Sequence, residues 1–284
     1  MNESLPPILP ANGPAQRRGR HAPSAMWDWG NYPSWKDTIW ELLSEIVDER
    51  VRNAFVESPP EYVVSDDLDW LNTSIKSVHG VELDSKAFLV DRLMQHFGTL
   101  RAVHGTRTND VKQYYRHGIW PLDPIVAHRR AQQLFLNEKH PELSHEHLTR
   151  AIDAVGVSNR EGRVWFEGNE LLLLSQCSHY MVYGPEYLTA IAAHLEGPRD
   201  YRKVLKEYGE PTLFRCDVPL SLMHYETVAS FAGKAIEQVF QNLLDGDTFE
   251  PDLWRGASFC IRTTLPPKSI VEHYHPQGLR DTFC

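Results

Sequence analysis

Several large classes of protein are excluded by what this sequence lacks. Its four cysteines, Cys177, Cys216, Cys260 and Cys284, are widely spread and form no C-x-x-C pair. That spacing excludes a dense disulfide framework and fits reduced thiols in a cytoplasm. No apolar run approaches the ~20 residues that a spanning helix needs, so the expectation is a soluble chain with no membrane partner. The first 25 residues, MNESLPPILPANGPAQRRGRHAPSA, lack the apolar stretch of a secretion signal. They read as a disordered tail, with Arg17, Arg18 and Arg20 as a short basic arm. Positive charge is also in short supply. Lys and Arg number 29 against 38 acids, for a net charge of −9. Such a chain does not attract nucleic acid through its overall field, and any nucleic-acid contact needs a local basic patch. There is no G-x-x-x-x-G-K-[ST] loop, no G-x-G-x-x-G turn, no G-x-S-x-G elbow and no H-E-x-x-H helix. These absences argue against P-loop NTPases, dinucleotide-binding oxidoreductases, α/β-hydrolases and zincin-type metalloproteases.

What remains is ordinary globular composition, 42% hydrophobic and 24% charged over 284 residues. Ile39, Leu42, Leu43, Ile46, Val47 and Val51 recur at helical spacing within one segment, 34–55, with Ser34 as its N-cap. A second helix follows Ser65 and ends at Gly80, and a third runs from Asp84 to Gly98. Residues 26–98 are therefore expected to form an all-helical N-terminal lobe. After Gly98 the periodicity changes. TLRAVHG alternates like a short strand, RTNDVKQYYRHG is a helix stopped by Gly118, and two helices fill 124–156. RVWFEG, PTLFRCDVPL, GASFCIRTTLPP and KSIVEHYHP read as strands, interleaved with helices over EYLTAIAAHLE and GKAIEQVFQNLLDG. Residues 99–284 are thus expected to form an α+β domain with a mixed sheet.

Two histidine clusters, His140/His145/His147 and Glu272/His273/His275, read as surface or structural groups rather than metal ligands. The sharper feature is AVHGTR. In a strand, Val103 and Gly105 point one way and His104 and Thr106 the other. The histidine offers ring nitrogens, the glycine a close backbone approach and the threonine a hydroxyl, a set that suits a ribose hydroxyl and a planar amide. A turn with a satisfied histidine would use the same residues.

The order RAVHGTR, helix, GI, RVWF, YGPEYL resembles the ADP-ribosyltransferase superfamily, in its H-G-T branch of poly(ADP-ribose)-polymerase-like enzymes and bacterial ADP-ribosylating toxins. The resemblance covers about residues 100–280. It implies a split mixed sheet, NAD as co-substrate, no metal, and transfer of ADP-ribose to a macromolecular acceptor, protein or nucleic acid. It implies that His104 bonds a ribose hydroxyl and that the Gly105 backbone bonds the nicotinamide amide, with Thr106 and Arg107 beside them. Trp165 and Phe166 become the aromatics near nicotinamide, joined by Tyr180, Tyr183 and Tyr187. The resemblance also calls for a catalytic glutamate. Glu186, opening a helix among three tyrosines, is the first choice; Glu272 and Glu167 are the others. A toxin or effector acting in a cytoplasm is the expected setting. An RNA 2′-phosphotransferase-like NAD-consuming enzyme and a catalytically silent NAD- or ADP-ribose-binding module are the alternatives.

Overall fold

The computed structural model describes residues 25–253 and 257–281. Apart from Ala25, the expected tail with its three arginines lies outside these residues, as does Cys284. The chain enters through β1 (Ala25–Trp27) and then α1 (Tyr32–Leu43). The single helix expected over 34–55 is in fact two. Asp48 accepts a hydrogen bond from the Val51 amide (3.1 Å) and starts a new helix, α2 (Glu49–Glu57). Ser34 does not cap α1. It sits inside the helix and donates to the carbonyl of Asn31, the residue at the cap position (2.7 Å). α3 (Asp69–His79) and α4 (Ser85–His96) follow, the first closed by left-handed Gly80 and the second opened by Asp84.

The next strand, β2 (Phe97–Thr108), is much longer than the short strand expected there. His104-Gly105-Thr106 therefore lies within a strand and not at its end. α5 (Val111–His117), α6 (Pro124–Phe135) and α7 (His145–Val155) lead to β3 (Val164–Glu167). Four short helices follow: α8 (Glu170–Ser175), α9 (His179–Val182), α10 (Glu186–His194) and α11 (Arg202–Leu205). β4 (Glu210–Pro219), the long α12 (Tyr225–Asp245), β5 (Ser258–Ile261) and β6 (Ile270–Tyr274) complete the described chain.

The strands form one sheet in the order β5-β3-β2-β4-β6, and the architecture is α+β. β4 pairs antiparallel along the whole of one edge of β2, from Thr99↔Pro219 to Thr108↔Glu210. The other edge is shared. β1 runs parallel to its first residues, and β3 meets it at a single pair, Val103↔Glu167. Among the described residues no strand pairs with this edge beyond Val103, so the sheet parts at His104.

Alternation then decides which side chain meets which layer. Leu100 and Ala102 of β2, Phe166 of β3, Phe214 and Val218 of β4 and Phe259 of β5 face one main core. That core also holds the buried stripes of α1, α3, α4 and α12 and the aromatic group Trp27, Trp29, Trp35 and Phe231. The N-terminal helices thus have no core of their own. The expected all-helical lobe of 26–98 also contains part of β1 and the start of β2. The reason is that the apolar stripes of α1 and α4 are too short to bury one another alone, and they close against α12 and the sheet. On the opposite face Val103 and Leu213 meet Leu173 and Met181 of α8 and α9. α6, α7, α10 and α11 gather a third cluster around Phe135, Ile191 and Tyr201.

Candidate functional site

Where β2 and β3 part, the His104 side chain spans the opening. Its Nδ1 lies 2.9 Å from the carbonyl oxygen of Trp165. A carbonyl only accepts, so Nδ1 carries the proton and Nε2 keeps its lone pair. Among the described residues Nε2 has no hydrogen-bond partner. Burial holds the imidazole below its ordinary pKa, against the opposing pull of the carbonyl, so the ring is neutral near pH 7. The bond to a backbone oxygen fixes ring and tautomer together, leaving one acceptor nitrogen for an incoming hydroxyl.

Gly105 lies on the other face, under α8 and α9. A Cβ there would sit 3.1 Å from Met181 Cγ and 3.2 Å from Leu173 Cδ2. That face is closed above the glycine, so the way to its backbone is along the open edge of β2. Trp165, on β3, is 50% exposed, which leaves the indole face open to a flat ligand. Two residues on, Glu167 is buried and accepts hydrogen bonds from the Ser258 hydroxyl and the Asn169 amide (3.3 Å for the latter). Burial raises its carboxyl above the usual range, and no cation lies within ion-pair distance among the described residues.

Tyr180, next to Met181, feels the charges of Glu186, Arg160 and Glu167, and burial raises its phenol. Glu186 opens α10 as the sequence indicates, but it is not free. Arg160 holds its carboxylate with two bonds, of 2.6 and 2.9 Å. The same guanidinium donates to the carbonyls of Val155 and Gly156, so the α7–β3 connection fixes it. His179 stands nearby, lowered by burial and pulled up less strongly by Glu186.

The fold therefore brings His104, Gly105 and Trp165 to the parting of the sheet. Tyr180 sits next to Met181, which covers the glycine, and Glu167 and Glu186 lie within electrostatic reach of Tyr180, while among the described residues no contact links Glu186 to His104. The fold does not bring the rest there. Thr106 shares His104's side of the strand but is buried there, its hydroxyl covered by the phenol of Tyr114, so it does not line an opening beside the histidine. Arg107 donates to the carbonyls of Tyr208 (3.0 Å), Val182 (3.2 Å) and Lys206 (2.6 Å), and so ties the end of α9 to the connection between α11 and β4. Phe166 stacks on Phe259 inside the core. Tyr183 and Tyr187 are buried, with hydroxyls bonded to Asp281 and His128. These three rings meet protein on both sides and have no face for nicotinamide. Glu272 lies on β6 and is paired to Arg215 at 2.5 Å, with β2 and β4 standing between it and β3.

Of the histidines first weighed as ligands, His147 accepts from the Ser144 amide at the start of α7, and His273 bonds Tyr115. Among the described residues no three His, Cys, Asp or Glu side chains are grouped to hold a metal, and no helix is long and apolar enough to cross a membrane.

Sequence reasoning did not find Arg160, because nothing local marks a partner 26 residues from Glu186. Nor did it find the cleft of about 450 Å³ on the Val103 face, where Arg101, Glu170 and Arg215 meet Asp28 and Asn31. There Arg101 is paired with Asp217, and Arg215 with Glu170 and Glu272, while burial raises the Asp28 carboxyl.

No protein-family model matches this chain, and no curated protein or solved structure does.

Proposed function

We propose that this protein is a NAD-dependent ADP-ribosyltransferase that modifies a macromolecular acceptor. The observation that carries the reading is His104. It stands where the central strand parts from its neighbour, locked by the Trp165 carbonyl and presenting a free acceptor nitrogen beside a glycine backbone and an open indole. The H-G-T resemblance gives that arrangement its ligand.

In this reading Nε2 of His104 accepts a hydrogen bond from a ribose hydroxyl. The edge of β2 at Gly105 takes the carboxamide, and Trp165 covers the nicotinamide ring. The bond between the ribose carbon and the ring nitrogen breaks, and its electron pair leaves with nicotinamide. The developing ribosyl cation is stabilised by a carboxylate, for which Glu186 is more accessible than the buried Glu167. A lone pair of the acceptor closes on the ribose carbon and the acceptor's proton passes to solvent. Arg160 holds the Glu186 carboxylate in place. No metal enters the step.

The test is direct. The purified chain is incubated with NAD labelled in the adenylate half, with and without macromolecular acceptors, and both free nicotinamide and acceptor-bound label are measured. The proposal expects nicotinamide release and label on an acceptor. Stoichiometric binding of NAD without release would make the protein a silent binding module. Neither binding nor release would overturn the proposal.

A further inference from the structure

In a chain of net charge −9, one stretch runs against the trend. Between Val111 and Phe135 it carries Lys112, Arg116, Arg129 and Arg130 against a single acid, Asp123. That acid is consumed as the cap of α6, accepting from the amides of Ile125 and Val126. Lys112 and Arg116 are four apart on α5 and both are exposed. Ile125 and Arg129, and Val126 and Arg130, are likewise four apart on α6 and exposed, so each pair shares a helix face. None of the four cations is in an ion pair among the described residues, whereas Arg92, Arg101, Arg150, Arg160, Arg199, Arg202 and Arg215 all are.

Between the two helices stands Trp120, 66% exposed. Its indole N–H donates to the His117 carbonyl (2.9 Å), which fixes the ring to the end of α5 with its face toward solvent. A fixed exposed indole costs solvation and is not required for packing. The connection that carries it reaches the site already described. The Leu122 amide donates to the Arg163 carbonyl (3.1 Å), and the Gly162 amide to the Leu122 carbonyl (3.0 Å). The patch therefore abuts the entry to β3, two residues before Trp165.

We propose that the surface of α5, the 118–123 connection and α6 binds a single-stranded nucleic acid. Cations outside any ion pair, Arg130 among them although its guanidinium lies 5.6 Å from the Tyr208 ring, track a phosphate backbone, and an indole fixed by its own N–H offers a stacking face to any base. The local charge is opposite to that of the chain, so the attraction belongs to this face and not to the molecule's overall field. In combination with the proposed function, on which this second step rests, the bound strand is the ADP-ribose acceptor, delivered next to the parting of the sheet.

The experiment uses the full chain and a labelled single-stranded oligonucleotide of about 12 nucleotides, followed by anisotropy at several salt concentrations. Binding is expected at low salt. The slope of log K against log salt should become shallower by roughly 1.4 in the Arg116→Ala, Arg129→Ala double variant, two contacts at about 0.7 each on a single strand. Trp120→Ala should weaken binding at least about fivefold and leave nicotinamide release without acceptor unchanged. No binding at low salt overturns the proposal. So does binding that ignores both sets of substitutions, or heparin competing while Trp120 has no effect, which would reduce the patch to a nonspecific polyanion field. Preference for an acidic, apolar peptide over the oligonucleotide would make the face a protein-docking surface and equally overturn it. The anisotropy measurement contains no NAD, so its failure is distinct from failure of the transferase reading, which nicotinamide release reads separately.

Discussion

Replacing Glu186 by Gln removes one negative charge and little else. In the native protein the carboxylate takes two bonds from Arg160, at 2.6 and 2.9 Å. The Gln carbonyl oxygen still accepts one of them, and Arg160 keeps its bonds to the carbonyls of Val155 and Gly156. The Glu186 side chain is 40% exposed and that of Arg160 31%, so solvent screens the pair and its loss costs about 1 kcal/mol or less. Losing a charge at the first turn of α10 adds a few tenths of a kcal/mol. The variant should therefore fold, melt within a few degrees of the native protein and bind NAD normally. A carboxylate that stabilises a developing cation is worth far more in the transition state, roughly 10²–10³ in rate or about 3–4 kcal/mol. The loss should appear in single-turnover nicotinamide release at saturating NAD, not in calorimetric affinity. Near-normal release from Glu186→Gln would refute the assignment. Near-normal release there combined with a large loss in Glu272→Gln would move the role to β6, despite its distance from His104.

Two further substitutions separate structure from chemistry. Glu167→Gln should stabilise the protein at neutral and higher pH. Burial raises the native carboxyl above its unfolded value even after its hydrogen bonds are counted, so the native state binds more protons and native stability falls as pH rises through that window. Melting temperatures of variant and native protein should converge toward pH 4 and diverge above it; parallel curves would contradict the argument. Gly105→Ala places a Cβ 3.1 Å from Met181 and 3.2 Å from Leu173, both buried, and should cost about 1–2 kcal/mol by overpacking. Nicotinamide release should fall with it, whereas unchanged release in a folded variant would show that the glycine backbone serves packing alone.

Much of the fold could be read from periodicity. The helices α3, α4, α10 and α12 and the strands β3 to β6 follow their apolar spacing. The break between α1 and α2 could not, because Ile46 and Val47 continue the helical spacing while Asp48 redirects the chain through a cap. β2 was longer than it looked because its polar residues find partners far away. Arg101 meets Asp217, and Arg107 meets carbonyls about 75 to 100 residues on. The site shows the same division. His104, Gly105, Trp165, Tyr180 and Glu186 can be named from the sequence; the fold places the first three at the parting of the sheet and the last two on α9 and at the start of α10. The pairing of Glu186 with Arg160, the burial of Glu167 and the sealing of Phe166, Tyr183 and Tyr187 into cores are tertiary facts with no local signature. The basic character of α5 and α6 is written in the sequence, but averaging it into a net charge of −9 hides it.

The most direct measurement of the central claim is the ¹⁵N spectrum of the His104 imidazole during a titration with NAD. In the free protein Nδ1 should carry the proton, held by the Trp165 carbonyl, and Nε2 should be bare across neutral pH. Adding NAD should shift Nε2 as it accepts the ribose hydroxyl and leave Nδ1 nearly unmoved, with the shift saturating at the calorimetric affinity. An Nε2 resonance that stays in place at saturating NAD would contradict the account.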